Sequence, residues 1–202
     1  MAALNSQPEQ YHIKPTAHCP NNVLPVLVYR DVLPRPHNEA TTSEALEKHG
    51  WEKRGTFGTI IVKHFHPNTH ECYGVFQGSS ELVFGAGGAD DPAAGVTCRV
   101  YPGDVIVVPA GVAHASVPTV GKPKVKWDLD EDELHYQYIG VYPRDGPIWK
   151  VEYGKEEVSQ NDPLIEEIAL VDIPADDPIS GPDGPLCQIW RAARQGKCSE
   201  TF

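Results

Sequence analysis

Two glycine-bounded stretches constrain this chain more than anything else in its 202 residues: GTIIVKHFHPNTHECYGVFQG, from Gly58 to Gly78, and GDVIVVPAGVAHASVP, from Gly103 to Pro118. In an extended chain successive side chains point to opposite faces, so His64 and His66 project from the same face about 7 Å apart, both within reach of one ion. Pro67-Asn68-Thr69 reads as a turn, after which a second strand brings back the carboxylate of Glu71. In the other stretch a turn at Gly103-Asp104, an apolar run and a Pro109-Ala110-Gly111 turn lead to His114, a fourth candidate ligand. Three imidazoles and one carboxylate suit a divalent transition ion, with Fe, Mn, Ni, Co and Zn all compatible. A closed structural zinc site would more often use cysteines.

Both stretches resemble the paired motifs of the cupin family. The first fits G-x5-H-x-H-x4-E-x6-G at Gly58, His64, His66, Glu71 and Gly78, and the second fits G-x5-P-x-G-x2-H at Gly103, Pro109, Gly111 and His114. One position departs: the second motif commonly closes on Asn, and here that place is Pro118. The runs LPVLVYRDVLP, HFHPNTHE, GVYPRDG and DIPADDPISGPDGPLCQIW further resemble the YjlB-like group of small cupins, from about Leu24 to Trp190. The resemblance implies an all-β domain, a double-stranded β-helix or jelly-roll barrel, with a short N-terminal helix and an irregular C-terminal tail. It also implies a metal held by His64, His66, Glu71 and His114.

Parity fills in the surroundings. If Glu71 faces inward, so do Tyr73, Val75 and Gln77; if His64 does, so do Ile60 and Val62. The reading is a mostly apolar pocket with Tyr73 as its polar handle and candidate catalytic group. Cys72 falls on the opposite face and reads as a small packed residue, and His70 is expected to face away from Glu71.

Composition narrows the setting. The length suits one domain, with an arm over 1–22, a single domain over 23–190 and a tail over 191–202. A hydrophobic share of 40%, with 18 Gly and 19 Pro, fits a β-rich domain with many turns. The net charge of -11 argues against a nucleic-acid partner, which needs a basic patch. No apolar run approaches the ~20 residues that span a bilayer, and the N-terminus lacks the basic start and apolar core of a secretory signal. A cytoplasmic placement follows. Five cysteines at irregular spacings agree with it, as free thiols and not a disulfide framework.

Along the chain, Val23 to Tyr29 reads as a first strand and Thr41 with Glu44 as the capping box of a helix that stops before Gly50. Strands are expected at Thr59–His66, Glu71–Gln77, Ser80–Gly85, Val96–Tyr101, Val105–Pro109, Ala113–Val117 and His135–Tyr142, with Gly78-Ser79 as a hairpin turn. The charged run over 119–134 reads as an inserted loop. Ile148–Tyr153 is a further candidate strand, Pro163 marks a helical turn, and Trp190 is expected to anchor the tail. An extended arm and an edge-like first strand point to a homodimer.

Two classes of function are open at this point. One is a metal-dependent enzyme on a small organic metabolite, an oxygenase or an isomerase or lyase working through an enolate. The other is a non-catalytic cupin that binds a metal or metabolite. Four intact ligands favour the enzyme.

Overall fold

The computed structural model describes residues 7–117 and 135–199. The turn at Pro118 and the charged loop over 119–134 lie outside the described residues. The strands are β1 (Glu9–Tyr11), β2 (Val26–Tyr29), β3 (Trp51–Phe57), β4 (Glu71–Gln77), β5 (Ser80–Phe84), β6 (Val96–Val100), β7 (Val105–Val108), β8 (His114–Val117), β9 (Gln137–Pro143), β10 (Asp176–Asp177) and β11 (Gly181–Pro182). The helices are α1 (Glu39–Glu47), α2 (Pro163–Ala169) and α3 (Pro185–Ser199), and a single 3-10 turn spans Pro92–Ala94.

Pairing gathers these strands into a six-stranded sheet, ordered β1-β2-β7-β4-β9-β3, a three-stranded sheet, β6-β5-β8, and the small β10-β11 pair. The pairs in all three are antiparallel. Two facing sheets, and not a closed barrel, are what the described strands form. Alternation decides what each side of the large sheet meets. Val26, Val28, Tyr73, Val75, Ile106, Val108 and Tyr138 point inward, into one core shared with Leu82, Phe84, Cys98 and Val100 of the small sheet. Leu27, Tyr29, Cys72, Val105, Val107, Ile139 and Val141 point outward, into a second core with Leu46 of α1 and Leu186 and Trp190 of α3. Gly74 makes room for this outer layer, since a Cβ there would stand 2.5 Å from Thr42 and 2.8 Å from Leu46.

Several expectations need correction. The tail is not irregular: α3 runs as a 15-residue helix through the expected boundary near residue 190. Its proline sits at the first position, where the missing N–H costs no helical bond, and Asp177 Oδ2 accepts the next amide, from Leu186, at 2.9 Å. Trp190 is fully buried and donates from Nε1 to the Pro25 carbonyl at 2.9 Å, the anchor expected of it. Helix α1 begins a turn earlier than the capping box suggested, because Asn38 is the residue in extended conformation, and its Oδ1 accepts the Thr41 amide at 3.0 Å. Gly50 does follow the helix, at φ +75. Gly78-Ser79 is not a hairpin, since β4 and β5 belong to different sheets. The described part of the arm packs onto the domain: β1 pairs with β2, while Ile13, Cys19 and Asn21 are buried.

Candidate metal centre

Strand β4 lies between β7 and β9, and its first residue, Glu71, faces the inner core with 4% of its surface exposed. His114 opens β8 in the facing sheet. The expected strand Thr59–His66 is instead an irregular segment that changes partner midway. His64 bridges His114 on one side, and the next residue, Phe65, bridges Glu152 on the other. That switch interrupts regular pairing, yet it seats both histidines against β8. The imidazole rings of His64, His66 and His114 stand 4.5 to 5.6 Å apart, centre to centre, and one ligand nitrogen from each falls within 4.8 Å of the others.

A backbone carbonyl fixes each ring. His64 Nδ1 meets Val62 O at 2.8 Å, His66 Nδ1 meets Lys150 O at 2.6 Å, and His114 Nδ1 meets Val112 O at 2.9 Å. A carbonyl only accepts, so each Nδ1 carries a proton, and in the neutral ring Nε2 keeps its lone pair for the middle of the group. Glu71 Oε2 lies 3.2 Å from His66 Nε2 and 3.4 Å from His114 Nε2. The buried His114 Nε2 has no hydrogen-bond partner. An acceptor nitrogen facing a carboxylate oxygen at this distance is a repulsive contact unless positive charge sits between them. The donor set therefore fits a divalent cation.

The titration behaviour expresses the same demand. Burial pushes His66 down, but the Glu71 carboxylate outweighs it and holds the imidazole above its ordinary value. Burial pushes Glu71 up, and the adjacent His114 and His66 pull it well below the usual carboxylate range. His64 drops to about 4 through burial and its proximity to His114, so it stays neutral. Glu71 is further held by two hydroxyls: Tyr142 donates to Oε1 at 2.6 Å and Tyr73 to Oε2 at 3.2 Å. Burial keeps both phenols protonated.

The structure thus brings His64, His66, Glu71 and His114 together, with Tyr73 buried beside Glu71 and packed on Tyr138, ring centres 4.4 Å apart. Cys72 points into the outer core, as alternation requires. His70 is turned away from the site. Its Nδ1 accepts the Ala110 amide at 2.9 Å, its Nε2 meets Asp172 O at 3.1 Å, and its ring packs on Trp190. A cavity of about 250 Å³ opens in front of His64, His66 and Glu71, with Ile60 and Val62 on its wall. Tyr142 and Trp149 also line it, and sequence reasoning passed over both. Tyr142 comes from the register: β4 and β9 pair Cys72 with Val141, so one step along stands Tyr142 opposite Glu71. Trp149, Val151 and Tyr153 line the cavity at every second residue, whereas Ile148 is 81% exposed. Their alternation was visible in the stretch read as a strand, though the segment forms only the Glu152 bridge.

Residues 55–127 match the family described as Cupin, a segment that contains all four candidate ligands. The chain is a distant homologue of the protein named uncharacterized protein YjlB from Bacillus subtilis (strain 168), 23% identical over 188 residues, 93% of this chain and 99% of that protein. Among solved structures it is similar to the formate complex of Lactobacillus farciminis oxalate decarboxylase, at 15% identity and a TM-score of 0.31 over 64% of this chain and 25% of that one. Bacillus subtilis oxalate decarboxylase with its Mn(II) centers gives 15% identity and a TM-score of 0.35 over 63% and 27% of the two chains. The 11S globulin procruciferin from Brassica napus gives 9% identity and a TM-score of 0.32 over 51% and 21%. The aligned part thus spans about a quarter of the length of those solved chains.

Proposed function

We propose that this chain is a metal-dependent enzyme whose centre, held by His64, His66, Glu71 and His114, acts on a small organic molecule bound in the adjoining cavity. The observation that carries this reading is the buried, unpartnered Nε2 of His114 facing the Glu71 carboxylate. A divalent transition ion bound there would polarise a substrate oxygen and stabilise negative charge that develops on it.

The chain's own groups do the rest. The carbonyls of Val62, Lys150 and Val112 hold the three imidazoles in the tautomer that presents Nε2. Tyr142 and Tyr73 hold Glu71 from two sides, so the carboxylate keeps its orientation when a ligand arrives. Ile60, Val62 and Val151 give the cavity an apolar side. Tyr142 reaches both the cavity and the carboxylate; its one proton is given to Glu71, so its oxygen is placed to accept from a substrate hydroxyl. Tyr73 stays auxiliary, through its bond to Glu71. The chemistry is of one of two kinds, oxygenation or an enolate-type isomerisation or lysis.

The test starts with elemental analysis of tag-free protein, where close to one transition metal per chain is expected. His66→Ala should remove most of it while the sheets stay folded, because the two cores and not the ion carry the domain. Diketone, phenolic and keto-acid metabolites are then screened in air and without oxygen. Metal content unaltered by both His66→Ala and His114→Ala would reject the centre, and turnover that survives complete metal removal would reject the mechanism.

A further inference from the structure

The cavity in front of the centre has a chemical character of its own. Phe57, Tyr138, Tyr142, Trp149 and Tyr153 give it flat aromatic walls, and no lysine or arginine stands among its described lining residues. Arg54 lies over the Tyr142 ring, 5.4 Å from the centroid, but its guanidinium donates to the carbonyls of Gly146 and Pro147 and stays outside the lining. Lys155 Nζ stands 5.5 Å over the Tyr153 ring and, like Arg54, is not among the lining residues. Among the described lining residues, charge is therefore answered at the centre alone. On the metal-centre reading above, three neutral imidazoles, one carboxylate and a divalent ion leave about one net positive charge. One ionised oxygen is neutralised there. A second would face the apolar and aromatic surface of the described lining, which holds no basic side chain, at the cost of its lost hydration.

Shape is limited by a prebuilt wall. Trp149 lies nearly parallel to Tyr142, at 11° with ring centres 5.0 Å apart. Asn68 holds the backbone on both sides of it, donating from Nδ2 to Ile148 O at 2.9 Å and accepting the Lys150 amide at 2.8 Å. An aromatic face fixed at its own backbone is ordered before a ligand arrives, which favours a flat partner over a flexible one. We propose that the substrate is a planar aromatic or conjugated molecule carrying one ionised oxygen, and that Trp149 is the residue that selects it.

Two chelating probes separate shape and charge from metal affinity. One is 4-nitrocatechol, which is planar and singly ionised near neutral pH; the other is oxalate, a small dianion without a ring. Binding to the metal-loaded protein is measured by equilibrium dialysis, which does not use tryptophan fluorescence as its signal. The expected result is 4-nitrocatechol bound at least about 10-fold more tightly than oxalate. Trp149→Ala should weaken 4-nitrocatechol about 10-fold, as loss of one stacking face does, with oxalate binding and metal content unchanged. Trp149→Phe should restore most of the loss. Oxalate binding as tight as 4-nitrocatechol, or a Trp149→Ala effect that is absent or equal for both probes, overturns the assignment. Failure of the metal reading shows separately, as wild-type protein that carries no metal. In that event 4-nitrocatechol retained by the metal-free protein and lost in Trp149→Ala still supports the planar class, and no retention rejects it.

Discussion

The two tyrosines on Glu71 separate what sequence spacing can reveal from what it cannot. Tyr73 was readable because it lies two residues from Glu71 on one strand, so local alternation places it on the same face. Tyr142 sits 71 positions away on β9 and meets Glu71 only through the pairing of two strands, which no local pattern encodes. Yet its hydrogen bond is the shorter, 2.6 Å against 3.2 Å. Tyr142→Phe is therefore expected to lower metal affinity about 10- to 100-fold, the usual effect of removing a group that orients a ligand, and Tyr73→Phe to lower it less. Competition with a chromophoric chelator measures both, and the reverse order would mean that Glu71 is oriented chiefly by Tyr73. Glu71→Ala should empty the centre and remove turnover almost completely. All four candidate ligands were legible from local spacing: three share one stretch, and His114 closes a turn with its own signature.

Single bonds between irregular segments hold the site together where regular elements do not. The stretch from Ile148 to Tyr153 has no strand, but Asn68 clasps it and its Lys150 carbonyl fixes His66. Asn68→Ala should weaken metal binding about 10-fold through this displaced carbonyl while the urea midpoint barely moves, because the lost bonds are exposed. An equal loss of stability would instead make the clasp a general support. His70 does the same work for the C-terminal segment. Burial pushes it down to about 3, so a neutral ring donates to Asp172 O and accepts from the Ala110 amide beneath Trp190. His70→Ala should cost about 2–4 kcal/mol in urea unfolding, since it leaves two polar groups unpaired and a void under an indole. Strands buried on two faces, such as VLVY in β2 and VIVV in β7, already announced a covering layer through their unbroken apolar runs. The covering itself was harder to see. The prolines ahead of α3 masked a helix whose Leu186, Ile189, Trp190 and Ala193 recur at helical spacing.

At the scale of the molecule, two sheets share an inner core that holds the candidate centre, and α1 and α3 seal the outer face of the larger one. A chain ended before Pro185 should lose that seal, exposing Leu27, Val107 and Val141, and be recovered as aggregate; a soluble truncated form with native circular dichroism would show the outer layer to be dispensable. The homodimer remains a proposal. The β2 edge that suggested it is covered by the chain's own β1, so pairing through the arm would use the three-residue β1 edge. Light scattering at micromolar concentration should give twice the chain mass, and a single-chain mass would reject it. The fixed register of β4 has one more consequence. It sends the Glu71 carboxylate inward and the Cys72 thiol outward, so a slip of one residue would exchange oxygen for sulfur at the centre. As built, the candidate centre offers only nitrogen and oxygen donors among the described residues, while the Cys72 thiol next to Glu71 is sealed behind the sheet. Peroxide or alkylating agents that modify cysteines should leave the metal complement intact, which would let this protein work through oxidative stress that strips thiolate-bound zinc from its neighbours.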